Sequence, residues 1–225
     1  ALFFDMNNDG LRDLYIANGI FRDLTDQDYL QYVSSEQVLM SIMSGEEVDY
    51  AKLVEIIPSR PVKNHAYINQ GNLTFTNDDS TGLLMPSFSN GSAYGDLDND
   101  GDLDLVVSNV NMPSFVYENH TDKKESGNYI QFDLRGSGQN TMAIGTQIKV
   151  NDGNSDYYIQ QQPIRGFQSS MDLRPHLGLP TNSPVNIEIT WPNGTKSFLD
   201  SVSVNQILVI NQTDMPKLKP LNNNP

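Results

Sequence analysis

Two stretches of this chain place oxygen-bearing side chains at alternate positions. In "DLDNDGDLD", Asp96, Asp98, Asp100 and Asp104 stand at positions 1, 3, 5 and 9, with Gly101 at position 6. The same spacing occurs in "DMNNDGLRD" near the start: Asp5, Asn7, Asp9, Gly10 and Asp13. Alternate side chains in a tight loop converge on one point, and hard oxygens converging there suit calcium. Position 7, Leu11 in the first loop and Asp102 in the second, would add its backbone carbonyl. Asp-Gly and Asn-Asp pairs make turns without any metal, yet turn chemistry does not call for acids at positions 1, 5 and 9 twice over. The expectation is two Ca2+ sites. Four carboxylates against three predict that the second binds more tightly.

An EF-hand would need a bidentate glutamate at position 12, where these loops carry Ile16 and Val107. Each loop instead runs into "LYIAN" or "LVVSN", short and rich in β-branched or aromatic residues, so each is expected to feed a strand rather than a helix. Such sites are expected to be structural. No catalytic constellation accompanies them: His65, His120 and His176 stand far apart, and no nucleophile elbow or phosphate-cradling glycine loop is present. A calcium ion held by paired aspartates also suppresses the protonation that acid–base chemistry needs. The chain is therefore not expected to be an enzyme.

The elements that must position the loops are set by the rest of the sequence. The 225 residues are 37% hydrophobic, enough for a sizeable core, and carry 28 acidic against 14 basic residues for a net charge of −14. The eight aspartates of the two loops supply over half of that excess. So acidic a chain repels nucleic acid. It has no cysteine, and no apolar run of the roughly 18 residues that a membrane-spanning helix requires. The loops start 91 residues apart, long for one blade-like unit, so an insertion is expected. Residues 24–58 are read as a small helical excursion, with Leu39, Ile42 and Met43, then Tyr50, Leu53, Val54 and Ile57, at helical spacing. Ser44 with Glu47 suggests a capping box, Pro58 and Pro61 close the segment, and its apolar faces are expected to pack on the strands around it.

After the polar stretch Glu118–Gly127 the pattern changes to short alternating runs: "NYIQFDL", "TQIKV", "SDYYIQ", "PVNIEITW", "TKSFL" and "NQILVINQ". Turn residues separate most of them, which argues for a β-sandwich or barrel. In "WPNGT", Asn193-Gly194 suits a tight hairpin turn with positive φ.

The segments "FFDMNNDGLRDLYIAN" and "AYGDLDNDGDLDLVVSN" resemble FG-GAP/VCBS repeats, the blades of integrin-like β-propellers, over residues 1–121. "TMAIGTQIKV", "RGFQSSMDLRPHLGL", "ITWPNGT" and "VNQILVI" resemble the ASPIC/UnbV domain, which comes after such blades in cartilage acidic protein and in bacterial surface proteins. The implied architecture is all-β: the C-terminal part of a calcium-binding propeller with a helical insertion, then an ASPIC/UnbV domain over 128–213 and a tail, 214–225. A closed propeller needs about four blades or more, so a longer parent protein is expected. The resemblance implies an extracellular or cell-surface location, bacterial outer-membrane-associated or periplasmic. A protein partner or envelope assembly is one expectation. Glycan binding is the other, with Tyr157, Tyr158, Phe167 and Trp191 as stacking platforms. A polar cluster of Arg165, Gln168, Ser169, Ser170, Arg174 and His176 reads either as a ligand loop or as a structural loop whose arginines pair with local acids.

Overall fold

The computed structural model describes residues 1–44, 50–121, 127–165 and 169–214. From the start, β1 (Leu2–Phe4) and β2 (Asp13–Ile16) form an antiparallel pair across the first aspartate loop. Three short helices come next: α1 (Gln27–Val33), α2 (Glu36–Met43) and α3 (Tyr50–Glu55). The chain then returns through β3 (Val62–Lys63), β4 (His65–Asn69) and β5 (Phe75–Asn77), completing a four-stranded sheet in the order β1-β2-β4-β5. β6 (Pro86–Ser87) pairs with β3, while β7 (Ser89–Gly95), β8 (Asp104–Asn109) and β9 (Phe115–Tyr117) make a three-stranded sheet around the second loop. The two sheets share one core. Leu2, Phe4, Tyr15 and Ala66 of the first pack with Leu105 and Val107 of the second.

The remaining strands are β10 (Asn128–Arg135), β11 (Gln147–Asn151), β12 (Asp156–Gln160), β13 (His176–Leu179), β14 (Val185–Thr190), β15 (Lys196–Val202) and β16 (Gln206–Asn211). They build two open sheets, β13-β10-β16 and β12-β11-β14-β15, so this half is a sandwich and not a barrel. Alternation places Val185, Ile187 and Ile189 of β14 inside, against Ile130, Phe132 and Leu134 of β10. Burial at that density is the main stabilising force of the half, at roughly 25 cal/mol per Å2 of apolar surface removed from water. Trp191 is among the fully enclosed rings, its Nε1 donating to Ser197 Oγ at 2.8 Å. It therefore cannot serve as the stacking platform expected from the sequence. In the hairpin it begins, only Gly194 takes positive φ, at 82°, and Asn193 instead accepts from Thr195 through its side chain.

The helical excursion differs from expectation at two points. Ser44 stops α2 at its C-terminal end, its amide donating to the Met40 carbonyl, while α1 and α2 start at Asp26 and Ser35; Glu47 lies outside the described residues. Of the apolar side chains described in the excursion, Ile57 is buried and Leu53 half-buried. Leu30 and Tyr32 of α1 and Leu39, Met40 and Met43 of α2 instead face solvent, Met43 with 85% of its surface exposed. The excursion is anchored at its base, where Arg22 Nη1 donates to the carbonyls of Glu55 and Ile57 at 3.1 and 2.9 Å.

Candidate metal centre

Each aspartate loop spans the turn between two antiparallel strands, with Phe4 opposite Asp13 in one and Gly95 opposite Asp104 in the other. The backbones match. Position 4 is asparagine in the left-handed region in both, Asn8 at φ 57° and Asn99 at 63°, and position 6 is glycine at 86° and 95°. Asparagine tolerates that region and glycine enters it without strain. Position 9 closes each loop in the same way. Asp13 accepts the amides of Met6 and Asn69, both at 2.8 Å, and Asp104 those of Leu97 and Asn119, at 3.0 and 2.8 Å. Asn69 and Asn119 then donate their side-chain amides to the carbonyl just before the aspartate, Arg12 at 3.0 Å and Leu103 at 3.2 Å. The two units are structural repeats. The asparagine comes 56 residues after Asp13 but 15 after Asp104, and the helices fill the difference.

The ligand ends of the loops are not alike. Asp96, Asp98 and Asp100 bring carboxylate oxygens within 4.8 Å of one another. Asp96 is buried, and neither of its oxygens has a hydrogen-bond partner, although the amides of Asn99 and Gly101 face it; burial holds its carboxyl above the usual carboxylate range. Those two amides and the Arg174 guanidinium offset part of that cost, but a buried carboxylate without a hydrogen bond remains unfavourable. The donor set therefore fits a hard cation held by Asp96, Asp98 and Asp100, with Asp104 bracing the loop. Asp102, at position 7, is fully buried beside them.

In both loops the side chains at positions 3 and 5 accept amides from within; in the second, Asp98 accepts that of Asp100 at 3.3 Å and Asp100 that of Asp102 at 3.2 Å. In the first loop position 1 is occupied as well. Asp5 accepts the amides of Asp9 and Gly10 at 3.1 and 2.8 Å, Asn7 Nδ2 donates to Asp9 at 3.0 Å, and Asp9 accepts the amide of Leu11 at 2.8 Å. Burial pushes Asp5 up to about 7 and Asp13 to about 6. Among the described residues, the cluster of close acidic oxygens lies in the second loop.

Residues 53–107, which contain the second loop and most of β8, match the model of the FG-GAP-like repeat, and residues 136–217 match that of the ASPIC and UnbV domain. The chain thus carries an FG-GAP-like repeat followed by an ASPIC/UnbV domain over those residues. No curated protein matches it. The loop from Asp5 to Asp13 falls outside the FG-GAP-like match, and its kinship rests on the bonds it shares with the second.

The ASPIC/UnbV domain packs directly on both loops. Asn8 joins them, its Nδ2 donating to the Gly101 carbonyl at 3.0 Å, and its Oδ1 stands 2.9 Å from His176 Nε2. The imidazole stacks on Tyr129, with centroids 5.6 Å apart and planes 9° apart. Arg174 reaches across to Asn99 Oδ1 at 2.7 Å and the Asp96 carbonyl at 2.9 Å while it pairs with Asp172 at 2.7 Å. Met171 enters the core of the blades. Of the polar cluster expected from sequence, Arg174 and His176 thus hold the junction, Ser170 bridges to Ile164, and Arg165 donates to the Gln160 carbonyl at 3.3 Å. Gln168 and Phe167 lie outside the described residues. Sequence reasoning missed Asn8, Asn99, Asn69 and Asn119. The signal available was the asparagine repeated at position 4 of both loops.

The junction fixes the protonation of His176. Because the Asn8 amide nitrogen is committed to Gly101, its oxygen faces the ring, so Nε2 carries the proton and Nδ1 is bare, shielded and without a partner. Burial, and next the Arg174 guanidinium, press the imidazole down to about 4, against a weaker opposing pull from Asp172. A histidine depressed in the fold contributes stability that is full above its unfolded pKa near 6.5 and is lost as pH falls toward 4. The stability difference between the wild type and His176→Gln should shrink by about 2 kcal/mol from pH 7 to pH 5. Urea unfolding at both pH values measures it, and parallel curves would refute the assignment. Taking the difference matters because Asp5 and Asp13, raised by burial, act in the opposite sense.

Proposed function

We propose that the chain is a non-catalytic module of the extracellular space or cell surface that is stiffened by calcium and binds a protein partner, as a component of an envelope assembly. FG-GAP-like repeats and ASPIC/UnbV domains are modules of an extracellular type, which supports the location. Among the described residues no helix is long and apolar enough to cross a membrane. The calcium reading is supported by the orphaned Asp96 carboxylate and its two close neighbours; Asp5, Asn7, Asp9, the Leu11 carbonyl and Asp13 would form the second site. The non-catalytic reading is supported by the use of the perturbed groups, since the aspartates close loops and His176 ties two domains together.

The observation that carries the partner reading is the helical excursion, whose two short helices α1 and α2 expose Leu30, Tyr32, Leu39, Met40 and Met43. Several exposed apolar side chains on neighbouring helices are the material from which interaction sites are built. The test is affinity purification of the tagged parent protein from its source envelope, in calcium and in EDTA, beside a Met40→Glu/Met43→Glu variant. A stoichiometric protein held by the wild type and lost from the variant is the expected result. Equal capture by both would sink this reading, and glycan without protein would favour the second.

That second reading is a calcium-stiffened carbohydrate-binding module. One observation favours it: Tyr158 keeps 65% of its surface exposed on β12.

A further inference from the structure

Two hollows flank β12. One, of about 540 Å3, lies where the first aspartate loop and Tyr94 of β7 face the ASPIC/UnbV domain; the other, of about 470 Å3, opens over β11 and β14. They share a rim of six residues: Arg12, Tyr158, Ile159, Gln160, Gln162 and Arg165. None of the six is acidic, although acids line the hollows beyond the rim, among them Asp9, Asp156 and Asp172 in the first and Glu188 in the second. The lysines near it are engaged, Lys149 with Asp156 and Lys196 with Glu188. The arginines form no such pair with any described residue, although Arg165 donates to the Gln160 carbonyl at 3.3 Å. Both Arg12 and Arg165 stand close enough to Tyr94 to lower its phenol's pKa against the rise from burial.

Strand alternation sets the chemistry of this rim. Tyr158 and Gln160 point to the same, exposed side of β12, while Tyr157 and Ile159 turn inward. Lys149 Nζ sits 5.7 Å from the Tyr158 ring centroid, fixing the ring from one side. An exposed ring offers a flat apolar platform, glutamine amides donate to and accept from hydroxyls, and a guanidinium fork grips a carboxylate through paired hydrogen bonds. One ligand class uses all three. We propose that the shared rim binds a carboxylate-bearing saccharide, a uronic acid residue, with its ring on Tyr158, its hydroxyls on Gln160 and Gln162, and its carboxylate on Arg12 and Arg165. A polyglutamate peptide would engage the arginines but brings no flat ring to the Tyr158 platform.

This rests on the carbohydrate reading above, and its test separates the two. The 225-residue chain is titrated calorimetrically in one calcium buffer with trigalacturonate, its methyl ester, free galacturonate and a hexaglutamate peptide. Trigalacturonate should bind, with the ester about tenfold weaker or more, since esterification removes the charge that the guanidinium forks recognise. Arg12→Gln, Arg165→Gln and Tyr158→Ala should each weaken it by about tenfold. Melting curves that match the wild type show that the variants fold. Free galacturonate binding as tightly as the trimer would place a single sugar in the rim, and a weaker monomer would indicate a polysaccharide; either supports the proposal. Ester binding as well as acid, with inert arginine variants, would overturn the uronate assignment but keep the carbohydrate reading. No saccharide binding would overturn both, and binding of the peptide alone would replace them with a protein ligand.

Discussion

Removing calcium with EDTA should lower the melting temperature of the chain by roughly 5–10 °C, and Asp96→Asn should remove the second loop's share of that response without destabilising the metal-free chain. A cation present at about 100 times its dissociation constant stabilises by about 2.7 kcal/mol, and each kcal/mol is worth about 2–4 °C in a chain of this size. Asp96 gives the test its sign. Its two oxygens are buried and without partners, and burial raises its pKa, so without metal the ionised carboxylate is a liability that the neutral amide relieves. With metal it is a ligand, and the amide is a poorer one. The expected pattern is a loaded wild type above the variant and a metal-free wild type at or below it, read by scanning calorimetry with and without excess calcium. An Asp96→Asn chain equally destabilised in both buffers would mean that the carboxylate serves the fold and not a cation.

The second large effect belongs to Gly178. It lies in β13, and a Cβ there would stand 2.1 Å from Asp5 Oδ2 and 2.6 and 2.7 Å from backbone atoms of Asn8. The carboxylate can swing aside, but the Asn8 backbone moves only if the loop moves, and with it the bonds to Gly101 and His176. Gly178→Ala should cost about 3 kcal/mol or more, near the upper end for overpacking, because no flexible side chain absorbs the contact. Gly91→Ala is the control, since its Cβ would meet only Ser169 Oγ, at 3.6 Å. Urea unfolding distinguishes them, and a Gly178→Ala curve that overlies the control would show that the sheet does not need to approach the loop so closely.

Much of this architecture is legible in the residues themselves. The position-1, 3, 5, 9 spacing places both loops between paired strands because aspartate and glycine at those positions fix the turn locally, and the alternating runs of the second half become β10, β11, β12, β14, β15 and β16. The parts that are not legible depend on distant contacts. β13 hides in "HLGL", whose histidine and glycine read as loop residues; it is a strand because its glycine alone allows the approach to Asp5, and its histidine is drawn to Asn8, 168 residues away in sequence. The exposure of the helices was equally unreadable, since helical spacing gives an apolar face without saying what covers it. Nor could spacing separate the loops. Their patterns differ at position 3 by one asparagine, yet that side chain donates to Asp9 and helps the first loop satisfy itself, while the second leaves Asp96 without a hydrogen bond beside Asp98 and Asp100.

The sandwich also carries a feature that bears on life at a surface. Its first strand, β10, and its last, β16, are parallel neighbours in continuous register from Ile130 opposite Gln206 to Arg135 opposite Asn211. Tension applied between the blades on one side and any attachment beyond β16 on the other pulls these two strands lengthwise past each other. The ladder of six residue pairs is then loaded in shear, where its bonds must fail together, instead of being unzipped one at a time. The end of β10 that joins the blades and the C-terminal end of β16 therefore meet in one ladder that resists their separation.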